Sequence, residues 1–233
     1  MQCIFCKQEI VSATRTEHII PESLGGGEWA ILPPGIVCDR CNQYFGSKVE
    51  RSAIDDYPLN IIRLLNGVIT KKRRWASMRH YLGLLEARPI PRLIGIEPAS
   101  PEVENAILEG RINKILIHSE TRNPIALCRL LLKISLEVLA FHDPALALHE
   151  NYDAARRFAR APLPGATWWF LYHGDPQEAG TAVSASIIDL DGGELALIEL
   201  FNFTFFIPVS ANIFPKDLDK LPIPEFRFFS VKA

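Results

Sequence analysis

Long apolar runs are missing from this sequence. No segment approaches the roughly 20 consecutive apolar residues that a helix needs to span a bilayer. The N-terminus begins Met-Gln-Cys and has no basic stretch followed by an apolar one, as a secretion signal would. We therefore expect no membrane association and a cytoplasmic location.

The motifs of several large enzyme classes are also absent. The sequence has no Walker phosphate loop, no G-x-S-x-G nucleophile elbow and no dinucleotide fingerprint. Five histidines lack metal-ligand spacing and are interpreted as ordinary core or surface residues. These are His80, His118, His142, His149 and His173.

What is present is the composition of a globular protein. The chain has 233 residues, 48% of them hydrophobic and 22% charged, which excludes disorder and coiled coil. Residues 1–92 hold 13 Lys and Arg against 9 Asp and Glu, a balance of +4, whereas residues 93–233 hold 12 against 18, a balance of −6. The N-terminal part is therefore the better place for a polyanionic partner, although +4 alone is a weak indication.

Four of the five cysteines form two pairs with the same spacing, Cys3-x2-Cys6 and Cys38-x2-Cys41. Two such turns can complete the tetrahedral S4 shell that zinc prefers, and a closed S4 site is structural. Disulfides or unligated thiols are the alternative, less favoured in a reducing compartment. The fifth, Cys128, lies in an apolar segment and is interpreted as a core residue.

The span between the two pairs, residues 7–37, is about twice the usual zinc-ribbon spacing of roughly 15–20 residues, so the pairs enclose something further. It contains Glu17-His18-Ile-Ile-Pro-Glu-Ser-Leu-Gly-Gly, and the second pair is followed by Asn42 and by Phe45-Gly46. Taken together, these elements predict an active site.

In these residues the sequence resembles the HNH nucleases, specifically the branch with four zinc-binding cysteines around the motif. The resemblance covers about residues 1–55. It implies a ββα-metal fold, with His18 as the general base and a divalent cation held by Glu17 and Asn42. Histidine titrates near neutrality, which suits a base that deprotonates water. Carboxylate and carboxamide oxygens suit Mg²⁺ or Mn²⁺ better than zinc.

One position departs from the family pattern. The strand before the second cysteine pair, residues 31–37, offers no asparagine to orient the histidine, a role that a backbone carbonyl could fill. Alternatives therefore stay open: His18 as a hydrogen-bonded structural residue, Glu17 as a surface charge, and Asn42 as a helix cap. The glycines after the motif, residues 25–27, are expected to shape a turn.

Two groups of basic residues are candidates for nucleic-acid contact. Lys48 and Arg51 lie on the helix predicted from Tyr44 to about Asn66, with a break at Pro58. The densest positive cluster of the chain lies beside Trp75, where phosphate contact and base stacking would combine. Its members are Lys71, Lys72, Arg73 and Arg74. For both groups a solvated surface is the alternative.

The remainder reads as mixed structure. Asn123-Pro124 begins a buried helix that runs to about Phe141, and four strands follow, joined in one case by a turn at residues 191–193. The predicted strands span residues 167–173, 182–190, 194–200 and 201–209. The fold class is therefore α+β. We expect an HNH module in residues 1–70, a basic, proline-rich connector in 71–98 and an α+β domain in 99–233, whose role would be target selection, dimerisation with a second copy or a partner protein, or regulation.

The leading hypothesis is a metal-dependent endonuclease acting on nucleic acid, with DNA as the expected form, structural Zn²⁺ and catalytic Mg²⁺ or Mn²⁺. The resemblance associates such modules with restriction, phage defence and mobile elements. The alternative is a zinc-stabilised nucleic-acid-binding or adaptor module whose nuclease site has decayed. A redox or zinc sensor is a third reading, but nothing near the cysteines indicates exposed, reactive thiolates.

Overall fold

The structure is a computed structural model that describes residues 1–70, 72–175, 180, 182–190, 193–211, 213–214 and 226–233. It combines helices with antiparallel sheets, which confirms the α+β class. The α-helices of the described part are α1 (Asp39–Tyr44), α2 (Arg51–Ile54), α3 (Leu59–Leu65), α4 (Pro101–Leu108), α5 (Pro124–His142), α6 (Pro144–Ala147) and α7 (Asp153–Arg160). The strands are β1 (Glu17–His18), β2 (Ile31–Leu32), β3 (Ser77–His80), β4 (Gly83–Ala87), β5 (Ile94–Pro98), β6 (Thr167–Gly174), β7 (Val183–Leu190), β8 (Gly193–Leu200), β9 (Phe203–Pro208) and β10 (Arg227–Lys232).

The N-terminal part has the predicted order of two strands and a helix. β1 pairs with β2 in antiparallel register, Glu17 opposite Leu32 and His18 opposite Ile31. The chain then passes Cys38 into α1, which continues through a π-helical turn, Phe45–Glu50, into α2. The helix thus begins at Asp39 and not at Tyr44, and it ends before Pro58, where a break was predicted.

A three-stranded antiparallel sheet, β3-β4-β5, follows α3. It lies in the segment 71–98 that was expected to be a connector, and its strands were not recognised in the sequence. Leu64 of α3 packs with Leu85 and Ala87 of β4 in a small apolar cluster. The division of the chain at residues 70 and 98 stays a prediction.

Helix α5 runs through the centre of the protein. The Asn123 side chain accepts a hydrogen bond from the Ala126 amide at 3.1 Å, and Pro124 occupies the first turn, so the predicted helix start is confirmed. Apart from Arg129, every residue from Ala126 to Ala140 is buried. A helix that is apolar on most faces must be covered on most faces.

Segments from the N-terminal and the C-terminal part of the chain cover α5. The five-stranded antiparallel sheet has the order β10-β6-β9-β8-β7 and packs on α5, and the four strands predicted from the sequence are in it. Residues 191–192 of the predicted turn lie outside the described part, although Leu190 pairs with Gly193 on either side. One apolar cluster joins Phe45 and Val49 to α5 and to Phe203 of the sheet.

Among the described residues, the helices are all too short or too polar to cross a membrane.

Candidate active site

The four cysteines of the two pairs come together in one cluster. The sulfur atoms of Cys3, Cys6, Cys38 and Cys41 all lie within 4.8 Å of one another, with 3.9 Å between Cys6 and Cys38. A tetrahedral zinc site with Zn–S bonds of about 2.3 Å requires sulfur atoms roughly 3.8 Å apart. The thiols are not joined in disulfides. The cluster is therefore a site for a structural metal ion, and zinc fits it.

The electrostatics of the cluster also favour a cation. A hydrogen bond from Cys41 lowers the pKa of Cys3 to about 4, and the same bond, with burial and the neighbouring sulfurs, raises the pKa of Cys41. Four sulfurs so close together cannot all ionise unless a positive ion compensates their charge. Arg156 of α7 donates to the carbonyl of Ile4 within the first cysteine turn. The C-terminal part of the chain therefore supports the metal site directly.

Glu17 lies in β1, and its carboxylate meets a lysine from the central helix. The Lys133 ammonium is 2.7 Å from Glu17 Oε1 and donates to the carbonyl of His18 at 2.8 Å. Lys133 is completely buried, and Glu17 is 8% exposed. The alternative that Glu17 is a surface charge is therefore wrong. Lys133 instead fixes both residues of the predicted catalytic pair.

Two more carboxylates face the same ammonium. Glu50, at the end of the π-helical turn, is 3.2 Å from Lys133 Nζ, and Glu137, one turn further along α5, is 3.0 Å away. Desolvation alone would lower the pKa of Lys133, but Glu137, Glu17 and Glu50 outweigh it and raise that pKa. Burial raises the pKa of Glu137 well above its usual value despite the nearby ammonium. The cluster thus holds a permanent positive charge and one carboxyl group that resists ionisation.

His18 follows Glu17 in β1 and contacts a different carboxylate. Its Nε2 atom is 3.3 Å from Oε1 of Glu22, the residue four positions later, and the His18 side chain is 12% exposed. Glu22 begins the short 3-10 turn Glu22–Leu24 and is the more exposed partner, at 42%. A carboxylate in this position can orient an imidazole. It offers the orienting role for which the sequence has no asparagine in residues 31–37.

The glycines after the motif shape the loop that carries Glu22. Gly25 ends the 3-10 turn with φ +91°, a conformation that favours glycine. A Cβ atom at Gly26 would lie 1.8 Å from the carbonyl oxygen of Ile20. Both positions thus require glycine for steric reasons, as expected for a turn.

Asn42 lies inside α1, one turn after Cys38. Its amide Nδ2 donates to the carbonyl of Thr16 at 3.1 Å, which ties the helix to the residue before Glu17. The N-cap of α1 is Cys38, so the interpretation of Asn42 as a helix cap is wrong. The hydrogen bond uses the nitrogen of the carboxamide and leaves its oxygen for another partner.

Glu17 has one buried oxygen available for a catalytic cation. Glu17 Oε2 is buried and has no hydrogen-bond partner, while Oε1 is engaged by Lys133. Buried carboxylate oxygens are normally satisfied, so this atom suits a ligand that the protein does not itself supply. Among histidine, cysteine, aspartate and glutamate of the described ranges, only the four cysteines converge as a group of three or more ligands. A cation at Glu17 would therefore depend on the Asn42 oxygen and on water.

The basic candidates lie on the surface. Lys48 is exposed on the π-helical turn and Arg51 at the start of α2. Lys72, Arg73 and Arg74 are exposed in a tight loop closed by hydrogen bonds between Thr70 and Arg74, and Lys71 lies outside the described residues. Trp75 packs against the small apolar cluster that contains Leu85 and Ala87 of β4. It therefore anchors the C-terminal end of the loop to the body of the protein.

The sequence did not reveal which residues hold Glu17 and His18 in place. Lys133 and Glu137 stand four residues apart in a segment that is otherwise almost entirely apolar, and lysine and glutamate are rarely buried unless they are paired. That pattern was a usable signal for a buried ion pair, although not for its partner Glu17. Glu22 lies within the motif itself, four residues after His18.

Comparison with known families gives a match in the N-terminal part of the chain. Residues 3–58 match the family model described as HNH endonuclease, a stretch of about a quarter of the chain. No curated protein and no solved structure gives a significant match. The family match spans both cysteine pairs, Glu17, His18, Glu22 and Asn42. The N-terminal part of the chain is thus similar to HNH endonucleases, which indicates a nuclease-type function and the binding of nucleic acid.

Proposed function

We propose that this protein is a metal-dependent endonuclease that hydrolyses phosphodiester bonds of nucleic acid, with DNA as the expected substrate. The observation that carries the proposal is the family match over residues 3–58, in which Glu17 and His18 lie between the two cysteine pairs that form the four-cysteine cluster. No other set of residues in the described part of the chain combines a partly exposed histidine with a recognised nuclease pattern.

Each residue of the pair has a role that its surroundings support. His18 acts as the general base toward water, and Glu22, 3.3 Å from its Nε2, holds the imidazole and balances the charge that it gains. Glu17 and Asn42 hold Mg²⁺ or Mn²⁺, which would neutralise charge on the phosphate in the transition state. Lys133 fixes the orientation of Glu17 by occupying its other oxygen.

A second candidate is a zinc-stabilised nucleic-acid-binding module without nuclease activity. The ion pair between Lys133 and Glu17 favours it, because a buried ammonium already neutralises the carboxylate that a metal ion would use. The two candidates differ in whether Glu17 Oε2 binds a cation in the presence of Lys133.

The test is cleavage of supercoiled plasmid and of single-stranded DNA by purified full-length protein with Mg²⁺ or Mn²⁺. His18→Ala is the active-site variant, and His142→Ala, an exposed histidine at the end of α5, is the matched control. We expect metal-dependent nicking that His18→Ala abolishes, with zinc content unchanged, and that His142→Ala preserves. Binding without cleavage by the unaltered protein would favour the second candidate. Cleavage that survives in His18→Ala would refute the assignment of the base.

The exposed loop of Lys72, Arg73 and Arg74 is proposed as part of the nucleic-acid interface, with Lys48 and Arg51. Each phosphate contact that is lost should reduce the salt dependence of duplex binding by about 0.9 in the slope of log K against log salt. Replacing the three loop residues with serine should therefore flatten the slope by up to about 3. An unchanged slope, equal to that of an Arg111→Ser control, would assign the loop to the solvated surface.

A cytoplasmic location, a role in restriction or defence, and a second copy or partner protein at the C-terminal part stay predictions.

A further inference from the structure

A cavity of about 540 Å³ lies between α3 and the three-stranded sheet. Residues 117–122, the irregular segment before α5, form part of its wall. This segment is held in place by the Asn123 amide, which donates to Asp56 at 2.6 Å, and by Leu116, whose carbonyl is 3.0 Å from His80 Nε2. Cavities of roughly 300–1,000 Å³ are the usual size for small-molecule ligands.

Arg63 is the unusual residue of this cavity. It lines the cavity from α3 and is only 9% exposed, yet its side chain makes no hydrogen bond or ion pair within the described part of the chain, and its Nε is buried without a partner. Burial lowers the pKa of Arg63, and the nearby charge of Asp55 only partly offsets this. A guanidinium carries five donors, and a buried donor without an acceptor is costly. The carboxylate of Asp55 acts on Arg63 only from beyond hydrogen-bonding distance, so the guanidinium is open to an oxyanion from outside the chain.

A second buried atom without a partner belongs to Asn60, another residue of the cavity wall. Asn60 donates through Nδ2 to the carbonyl of Asp55, while its Oδ1 is buried with no hydrogen bond. The cavity thus offers donors at Arg63 and an acceptor at Asn60. A ligand that satisfies both has an anionic group and an N–H donor.

The other lining residues determine which ligand with an anionic group and an N–H donor fits the cavity. Arg79 and Arg122 add positive charge at the exposed side. The acidic lining residues are Asp55, Asp56 and Glu120. Asp56 already accepts from the amides of Tyr57 and Asn123, so its charge is engaged by the protein. Apolar surface comes from Met78, Leu84 and Ile117, against which a flat ring can pack.

We propose that this cavity binds a nucleoside monophosphate unit, with its phosphate on Arg63 and the amino or imino group of its base on Asn60 Oδ1. A nucleotide combines a phosphate, N–H donors and an aromatic ring in a volume that the cavity accommodates. The unit has two possible sources, a free nucleotide or the phosphorylated end of a nucleic-acid strand. The site is separate from the pair Glu17 and His18, and the proposal does not depend on nuclease activity.

The first arm of the test uses the unaltered, zinc-loaded full-length protein. Binding of the four ribonucleoside 5′-monophosphates is measured by calorimetry, with the corresponding nucleosides as ligands that lack the phosphate. We expect at least one monophosphate to bind at one site per chain, at least about tenfold more tightly than its nucleoside, because a hydrogen bond to a charged group contributes that much. Failure of all four to bind at millimolar concentration, or equal binding of nucleosides, would overturn the proposal.

The second arm locates the site. Arg63→Met should weaken monophosphate binding at least about tenfold while keeping or raising the melting temperature, because it removes a buried charge that has no partner. Arg111→Met, an exposed arginine paired with Glu109 and outside the cavity, is the matched control and should bind as the unaltered protein does. Unchanged binding in Arg63→Met would place the ligand elsewhere, for example at His18, and would overturn the proposal. Should that variant misfold, Arg63→Lys keeps the charge but loses the planar fork, and weaker binding is again expected.

The third arm separates the two sources. Short single-stranded oligonucleotides with and without a 5′-phosphate compete against the bound monophosphate. Displacement that requires the 5′-phosphate and Arg63 identifies a strand end as the ligand, and absence of displacement identifies a free nucleotide. Both results support the proposed site, whereas displacement that is equal with and without the phosphate contradicts it.

Discussion

Replacing Lys133 tests how the central helix supports the candidate active site. Lys133→Met removes the ammonium but keeps a side chain of similar length, so Glu17, Glu50 and Glu137 lose the positive charge that they share. Lys133 and Glu137 are fully buried, and the side chains of Glu17 and Glu50 are 9% and 15% exposed. Water therefore cannot easily replace the ammonium.

The expected loss is large. Removing one partner of a buried ion pair costs about 3–5 kcal/mol, because a charge is left without compensation. Total unfolding free energies are of the order of 5–15 kcal/mol. Since 1 kcal/mol shifts the melting temperature of a chain of roughly 150–250 residues by about 2–4 °C, Lys133→Met should melt roughly 6–20 °C below the unaltered protein.

Thermal and urea unfolding, followed by circular dichroism at fixed zinc content, measure this effect. Lys48→Met is the matched control, since Lys48 is exposed, and it should change stability by less than about 0.5 kcal/mol. The double variant Lys133→Met/Glu137→Leu also removes the most deeply buried carboxylate and should recover part of the loss. If Lys133→Met unfolds within about 1 kcal/mol of the unaltered protein, and the double variant is no more stable, the ammonium does not hold these carboxylates together.

Three further predictions concern neighbouring groups. Cys41→Ser should lose stoichiometric zinc and unfold the N-terminal part, and retention of both zinc and the native melting profile would contradict the structural metal site. Glu22→Gln should lower kcat, because His18 loses the carboxylate that orients it; an unaltered kcat would remove Glu22 from the site. For Glu137, whose pKa is raised by burial, the folded protein binds a proton that the unfolded chain releases above about pH 4.5. The stability contributed by this proton is present below that pH and is lost as the pH rises toward the folded pKa. Glu137→Gln should therefore flatten the fall in unfolding free energy above about pH 4.5, and parallel curves for the variant and the unaltered protein would refute it.

The sequence was most informative where local chemistry determines the structure. The cysteine spacing predicted a cluster that forms, and Asn123 with Pro124 predicted the start of α5. Four of the five strands of the large sheet were recognised in the sequence, whereas β10 was not. These features depend on residues that are close together in the chain, or on a ligand shell with fixed geometry.

Features that depend on weak patterns or on distant contacts were not found. The sheet β3-β4-β5 has short strands with mostly half-buried positions and contains Gly83 and Gly95, so it lacks the clear alternation of a strand. The contact of Lys133 with Glu17 joins residues 116 positions apart, and periodicity can mark a buried helix face but not what covers it.

The position of Lys133 also bears on what the N-terminal part can be by itself. The family match ends at residue 58, but the core around it does not: Phe45 and Val49 share one apolar cluster with α5 and the large sheet. The motif loop meets the large sheet and its β8–β9 turn as well, since a Cβ atom at Gly25 would lie 3.1 Å from Val183 of β7 and 3.0 Å from the Phe201 ring. The carboxylate of Glu17 finds its counter-ion on α5 and not within the matched residues. The matched segment is thus continuous in sequence, but residues of the C-terminal part complete its apolar core and neutralise the charge of Glu17. We therefore expect substitutions in α5 to affect the candidate site as directly as substitutions in the motif.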